Sequence, residues 1–581
     1  MCLFPFVELV SPPLDVAQGG FRHQRSALDQ ALCLHDLMRA YRDRHNHYPV
    51  VVFLDIKAAY DTVDRRIIWQ SMLASSAPFC LVSLLANLFD DVSVSVLLNN
   101  NVSTPFAPST GVLQGSVLSP HLYSIYINTL PALLRSAASS STTSVLTLSP
   151  SGPPGPGSLV PPGLPFGPLA GSSALSSSST SPSPINCLLY ADDVALVGSA
   201  REVRHMLDLA QIHSLTLGYK WSPSKCAVLN SPVQSSRSFV RMSLYDEDLP
   251  SVDEFIYLGI PFCNKGISVS AMVKHRASST LFAMSQLNAI GLNRNGFSLL
   301  LSARFYASFV RPKLEYGLAI AHLFKKDYTE LNRVQDRCLR MIVGGHRTSS
   351  TVVLRHICNL PSMDFRADTL VLKYCLRVSG LPDDCLLSLL ASSVPLSLLS
   401  RLRQRRIVHD CPQDASSSTS RLSSWLRRYR QERFNTFLQS TSRVLIRACR
   451  PVLRVDPVLF VPASRADRSR LVRWRMGWLP GKPRPCACGL GQTSRSHLVL
   501  CTMVPSYLWS CLPFPPTSYV GNHIDYVLNQ LPLSPSASCP PFWSALCTIL
   551  WHFDRLCNPD GDYTTDPTPG QVWLDKSQSP S

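Results

Sequence analysis

The stretch NCLLYADDVALVG, residues 186–198, sets two adjacent carboxylates, Asp192 and Asp193, between two apolar runs. Apolar runs of this length around a polar pair predict two buried strands joined by a tight turn. Aspartate suits an ordinary turn, because its side chain bonds nearby backbone and tolerates unusual dihedrals. It also suits a metal site, since two carboxylates held side by side repel each other unless a proton or a divalent cation intervenes. A third carboxylate at the same place would decide between the two. Asp55 is the candidate: it ends PVVVFLD, residues 49–55, a β-branched run with the signature of a buried strand. If that strand neighbours the hairpin, the three carboxylates converge. Three carboxylates can hold two Mg²⁺ ions for in-line displacement at phosphorus.

The bulk composition is compatible with such a site. The 581 residues allow about three or four domains, and a hydrophobic content of 45% supplies their cores. The formal charge of +17 points to a polyanionic partner. No apolar run approaches the ~20 residues of a spanning helix, so a membrane is not expected as a partner. The N-terminal MCLFPFVELVSPPLD has no basic leader and is broken by prolines and acids, unlike a signal peptide. Nineteen scattered cysteines without a secretory signal favour reduced thiols, with one metal site, over a disulfide framework. A nuclear or cytosolic protein is the expectation.

Along the chain, residues 20–48 read as a loop and then a helix, with Ser26 and Asp29 spaced as a capping box. VSVSVLL, residues 92–98, alternates like a strand, and Ser119-Pro120 reads as the N-cap and first turn of a helix running through HLYSIYINTLPALL. Residues 136–184 are dominated by Ser, Pro and Gly; the composition predicts a disordered, dispensable insertion. Residues 263–400 look mostly helical. Residues 401–475 carry eighteen arginines, no lysine and five acidic residues, interleaved with Trp425, Tyr429, Phe434 and Trp474. Basic helices with aromatics predict backbone binding and base stacking on nucleic acid, against the plainer reading of a solvated helix face. Further on, CACGLGQTSRSHLVLC offers Cys486, Cys488, His497 and Cys501, a Cys₃His set of the closed kind that holds one structural Zn²⁺.

In chain order, FLDIKAAYDTVD, GVLQGSVLSPHLYSIYIN and LLYADDVALVG resemble motifs A, B and C of reverse transcriptases. GGFRHQRSALDQ resembles the fingers motif of LINE-type, non-LTR retrotransposon enzymes; GYKWSPSKCAVL resembles motif D and FIYLGIPF the motif E grip. FVRPKLEYGLAI and LNRVQDRCLRMIVGG resemble the thumb of the same group, and the Cys/His cluster its CCHC knuckle. The resemblance covers roughly residues 19–380. It implies that Asp55, Asp192 and Asp193 hold Mg²⁺ and that Tyr60 is the steric gate against a ribose 2′-OH. Gln114 and Gly115 would lie by the incoming nucleotide, Lys225 would protonate pyrophosphate, and Arg25 would touch the triphosphate.

The fold this implies is α+β, a right-hand polymerase with fingers and palm, a helical thumb and a small C-terminal Cys/His knuckle region. Its expected divisions are a truncated fingers segment (1–48), a palm (49–262), a thumb (263–400), an Arg-rich helical segment (401–475) and the knuckle region (476–581). The expected activity is RNA-directed DNA synthesis from dNTPs on an RNA template with a DNA primer or target, in the nucleus or in a cytoplasmic ribonucleoprotein. The endonuclease usual in the family is missing, so the chain reads as a fragment of a larger element, a decayed copy or an imperfect gene model. The alternative is an inactive remnant that only binds RNA or DNA.

Overall fold

The computed structural model describes residues 7, 9–90, 92–137, 147–148, 183–230, 240–394, 397–416 and 418–578. The expected disordered insertion lies almost entirely outside the described residues. The chain divides into two compact units. The first comprises residues 1–272, 320–322 and 373–405, and the second 273–319, 323–372 and 406–581.

In the first unit, Val50–Leu54 forms strand β1, buried at every position. It can be apolar throughout because it is central in a five-stranded sheet. Cys187–Tyr190 (β2) and Asp193–Gly198 (β3) make the expected hairpin. Ala227–Leu229 (β4) and Ser251–Val252 (β5) complete the sheet in the order β5-β4-β1-β3-β2. Strand β1 runs antiparallel to both β3 and β4. Helices Ala27–His45 (α1), Ser119–Ile127 (α2) and Ala200–Leu217 (α3) belong to the same unit. Side chains from α2, α3 and the sheet share one core, which includes Val52, Leu54, Tyr123, Leu196 and Met206. A separate antiparallel sheet at residues 254–267 covers part of the motif E text.

Several local expectations change. Ser26 caps α1 through Asp29 N, but Asp29 does not return the bond; its carboxylate is taken by Tyr374 Oη at 2.9 Å and by Arg377. Ser119 is the first helical residue rather than the cap, and its hydroxyl bonds Leu113 O at 2.6 Å. The helix beginning there stops at Ile127, and a second runs from Leu130 to Ser136. VSVSVLL gives an exposed two-residue strand, Leu97–Leu98, and an isolated bridge from Val94 to Phe106. Residues 373–400, read as part of the thumb, and 401–405, read as the start of the Arg-rich segment, belong to the first unit.

The second unit is helical and has its own core. Thr351–Ile357 (α4), the start of Met363–Val378 (α5), Thr419–Ser440 (α6), Arg465–Met476 (α7) and Trp543–Cys557 (α8) belong to it. Ile357, Leu471, Trp474, Leu546 and Phe553 lie in one buried cluster. The Arg-rich segment after residue 405 and the Cys/His region are therefore parts of one packed body, not successive modules.

Candidate functional site

The register of β1 on β3 decides where the carboxylates go. Leu54 pairs with Val194, so the next step sets Asp55 opposite Asp193. Opposed residues of an antiparallel pair share a sheet face with Cα atoms ~4.5–5.5 Å apart. Asp192 sits in the turn closed by the Tyr190–Asp193 pair. The three carboxylates predicted from sequence thus gather at one end of two central strands.

The turn has a bracing that the sequence reading did not assign. Ala191 is held at φ 57°, a left-handed value uncommon for a residue with a Cβ. Its amide donates to Gln18 Oε1 at 3.0 Å, and the same oxygen accepts Gly20 N at 2.9 Å. Residues 17–19 run beside β2, with Gly19 N donating to Leu189 O and Leu189 N to Ala17 O. From α1, Gln30 Nε2 donates to both Ala17 O and Leu189 O at 2.9 Å. A Cβ on Gly20 would stand 2.4 Å from Ala191 N, so glycine is required for this approach. Gln18 and Gln30 are both buried here, where an amide must find partners.

The electrostatics are those of like charges crowded together. Burial first, then the charges of Asp192 and Asp55, push the Asp193 carboxyl up to about 6. Asp192 is raised by burial and by Asp55. Asp55 Oδ2 is buried and accepts no hydrogen bond, although Lys225 Nζ stands 3.5 Å away as an ion pair. The loop carrying Lys225 is tied to the same place, with Ser222 N donating to Asp55 O at 2.9 Å. Among the described residues the ion pair here is that of Lys225 with Asp55, one lysine beside three carboxylates.

Tyr60 is half-buried and stacks on Tyr123, with centroids 5.0 Å apart and planes at 19°. Burial, then the charge of Asp192, lifts its phenol to about 12, so the ring is neutral. Its carbonyl accepts Val112 N at 2.8 Å, which joins motif A to motif B. Gln114 Nε2 donates to Asp61 Oδ1 at 3.0 Å. Gly115 has φ 94°, and a Cβ there would meet nothing within 4 Å, so its need for glycine is dihedral rather than spatial. Arg25 is nearly buried and pairs with Asp384 at 2.9 Å.

In the second unit, the ligand atoms of Cys486, Cys488, His497 and Cys501 lie within 4.8 Å of one another. Cys486 Sγ and Cys501 Sγ are 3.6 Å apart, and Cys488 Sγ and His497 Nε2 are 3.2 Å apart. A tetrahedral ion with ~2.3 Å bonds to sulfur and ~2.0 Å to nitrogen needs edges of about 3.5–3.8 Å. The Leu490 amide points at Cys488 Sγ, 3.4 Å away, and lowers that thiol's pKa. Cys486 and Cys488 lie in a turn closed by Gly489 N donating to Cys486 O at 3.0 Å, with Gly489 at φ 73°.

The Arg-rich segment departs from expectation. Trp474 is fully buried, donates to Asp525 Oδ1 at 2.9 Å and stacks on Phe553. Trp425 is also buried and stacks on Tyr429. Neither tryptophan is free to stack on a base. Arg470 pairs with Asp467, Asp554 and Asp566, and Arg475 with Asp456 at 3.3 Å. Arg450 donates to the carbonyls of Leu528 and Leu531. Of the eighteen arginines, three are buried, four half-buried and eleven exposed. Two of the four acids answering the buried ones, Asp554 and Asp566, come from beyond residue 475, and a local count could not reveal those two.

Comparison with known proteins bears on the whole arrangement. Residues 5–148 match the family described as reverse transcriptase (RNA-dependent DNA polymerase). The chain is 23% identical over 261 residues to the Pol polyprotein of the type-2 retrotransposable element R2DM of Drosophila melanogaster, covering 43% of this chain and 21% of that protein. It is 23% identical over 302 residues to the Pol polyprotein of the type-1 element R2 of Popillia japonica, covering 50% and 42%. The RNA-directed DNA polymerase of the Drosophila melanogaster mobile element jockey is 22% identical over 413 residues, covering 68% and 40%. The chain thus spans less than half the length of each of these relatives.

Proposed function

We propose that this chain, which carries a reverse transcriptase domain of the non-LTR retrotransposon type, is an RNA-directed DNA polymerase that adds dNTPs to a primer 3′-hydroxyl on an RNA template. The observation that carries the reading is the β1–β3 register, which brings Asp55 beside Asp193 at the Asp192 turn.

The carboxylates suit divalent cations. Asp55 Oδ2 is buried without a hydrogen bond, and both aspartates of the turn are held back from ionising by burial and by like charge. Asp55, Asp192 and Asp193 would hold two Mg²⁺ ions. Bound there, the ions would activate the primer hydroxyl and neutralise the triphosphate. The protein's own groups do the rest. Tyr60, braced by Tyr123, presents a rigid neutral ring that a ribose 2′-OH would meet. Gln114 is fixed by Asp61, and Gly115 offers backbone without a side chain. Lys225, once a cation competes for Asp55, is a proton donor for the leaving pyrophosphate.

The Cys₃His set would hold one Zn²⁺ and fasten the turn at Gly489 to the short helix bearing His497. Metal analysis of the purified chain should find equimolar zinc, lost in Cys488→Ser. RNA, primer or target DNA and dNTPs are the expected partners, with the nucleus as the place of action. Among the described residues no helix is long and apolar enough to cross a membrane. The deciding experiment is primer extension on an RNA template with Mg²⁺. The chain should extend the primer with dNTPs and Asp192→Asn should not. Equal activity in the two proteins would remove the carboxylates from the chemistry.

A further inference from the structure

The second unit contains a cavity of about 330 Å³ that neither metal-binding cluster uses. This is the lower end of the size range of ligand pockets, ~300–1,000 Å³. It lies among α4, the start of α5 and α6, with apolar walls from Val352, Leu360, Phe365, Phe434, Phe437 and Leu453. Three guanidinium groups and one carboxylate, Asp364, also line it.

Two of the three arginines are already answered. Arg355 bonds Asn332 at 2.8 Å and pairs with Asp336. Arg433 pairs with Asp368 at 3.0 Å and Asp364 at 3.5 Å. Among the described residues Arg430 meets no carboxylate; its bonds go to Asn359, at 2.9 Å to Oδ1 and 3.4 Å to the carbonyl. Burial, with Arg311 and Arg366 nearby, lowers its pKa to about 10, which leaves it charged at neutral pH. Beside it, His356 is 4% exposed and stacks on Phe434 with centroids 5.1 Å apart. Its Nδ1 is buried with no hydrogen-bond partner. A cation without a carboxylate and a buried histidine with an unpartnered ring nitrogen therefore stand at one aromatic-walled cavity.

A ligand that satisfies all three features is planar, carries hydrogen-bonding edges and is attached to an anion. We infer that the cavity takes an unstacked base of single-stranded RNA, packed against Phe434 and Phe437 with its edge toward His356 and its phosphate on Arg430. Single-stranded recognition works in this way, through splayed bases stacked on aromatic rings with the backbone held by cations. Arg427, three residues before Arg430 on α6, extends the positive face toward the start of that helix. Arg427 is exposed and, among the described residues, bonds within its own helix, to Ser423 O and Ser424 Oγ. An acidic peptide would satisfy Arg430 but leave the aromatic slot without a planar partner.

The inference rests on the reading that the chain handles RNA, and the test separates the two. The intact protein is irradiated with a short single-stranded RNA carrying 4-thiouridine, and the cross-linked residues are mapped. Binding is measured in parallel for the same RNA with one abasic position. Cross-links should fall on residues 352–365 and 430–437, and the abasic RNA should bind about tenfold more weakly. Arg430→Gln, which keeps a donor for Asn359, and the milder Phe434→Leu should each weaken binding to the intact RNA. Both should leave the penalty for the abasic position small. Cross-links confined to the first unit, or equal binding of the two RNAs, would overturn the inference. Normal primer extension alongside that result would show that only the cavity assignment had failed. Cross-links in the cavity without primer extension would instead remove the polymerase reading alone.

Discussion

The carboxylate turn of the first unit and the arginine-rich helices of the second are both dense in charge of one sign, and the structure treats them oppositely. At the turn, three acids meet one lysine, and two carboxyls are pushed toward neutrality. In the helices, buried Arg470 and Arg475 are matched to Asp467, Asp554, Asp566 and Asp456. Charge left uncompensated at the end of packed strands is poised for a ligand. Charge compensated inside a core does the work of structure. Composition alone cannot tell the two apart, because the difference lies in whether partners arrive from elsewhere in the chain.

The largest expected effect tests the uncompensated side. Asp192→Asn should lower primer extension by about a thousandfold or more, since charge stabilisation at the reacting centre is lost. It should leave folding intact, because it relieves repulsion. A variant that is inactive because it is unfolded would break the contrast.

The compensated side is tested by stability. Arg470→Met should destabilise the protein by about 3–5 kcal/mol in denaturant unfolding, because three acids lose their shared cation. Exposed Arg428→Gln should stay within ~0.5 kcal/mol of the parent. It should also reduce the salt slope of RNA binding by roughly 0.7, the share of one phosphate contact on a single strand. Equal stability of the two variants would erase the distinction between buried and exposed arginines.

A smaller effect is expected at Tyr60. Tyr60→Val should raise ribonucleotide incorporation relative to deoxynucleotide by roughly ten- to a hundredfold, the scale on which a pocket wall rejects an added group. Unchanged discrimination would leave Tyr60 with only its packing role against Tyr123.

The parts legible in the sequence were those where local pattern and chemistry coincide. The β1 strand is buried at all five positions, as its apolar run requires. The hairpin and the Cys/His set declare themselves by spacing, and the ordered motifs supplied the roles. What escaped depended on distant partners. Nothing around Gln18 announces that its side chain will reach Ala191, 173 residues away in sequence. Asp29 looked like half a capping box until Tyr374 and Arg377 claimed it. Trp474 and Arg470 looked like a nucleic-acid surface because the aspartates that bury them, Asp525 and Asp554, lie in segments with no pattern of their own.

The smallest expected effect concerns pH, and it reads the carboxylate repulsion directly. An unfolded aspartate titrates near 3.9, whereas Asp193 in the folded chain titrates at about 6. Between those values the folded state holds more protons than the unfolded state, so stability falls as pH rises from about 4 to 6 and levels off above. Asp192, shifted in the same direction, adds to the trend. In metal-free protein, Asp193→Asn should therefore match the parent below pH ~4 and exceed it by a margin that grows to pH ~6. Partial exposure keeps that margin below the ~2–4 °C in melting temperature that 1 kcal/mol gives a domain of 150–250 residues. Mg²⁺ should act oppositely, stabilising the parent above pH 6 and losing its effect as protons reclaim the site. The check is a melting series from pH 4 to 8 with and without Mg²⁺, read as the difference between parent and variant. A difference that shrinks toward pH 6, or Mg²⁺ stabilising both proteins equally, would mean that Asp193 is not part of the crowded charge.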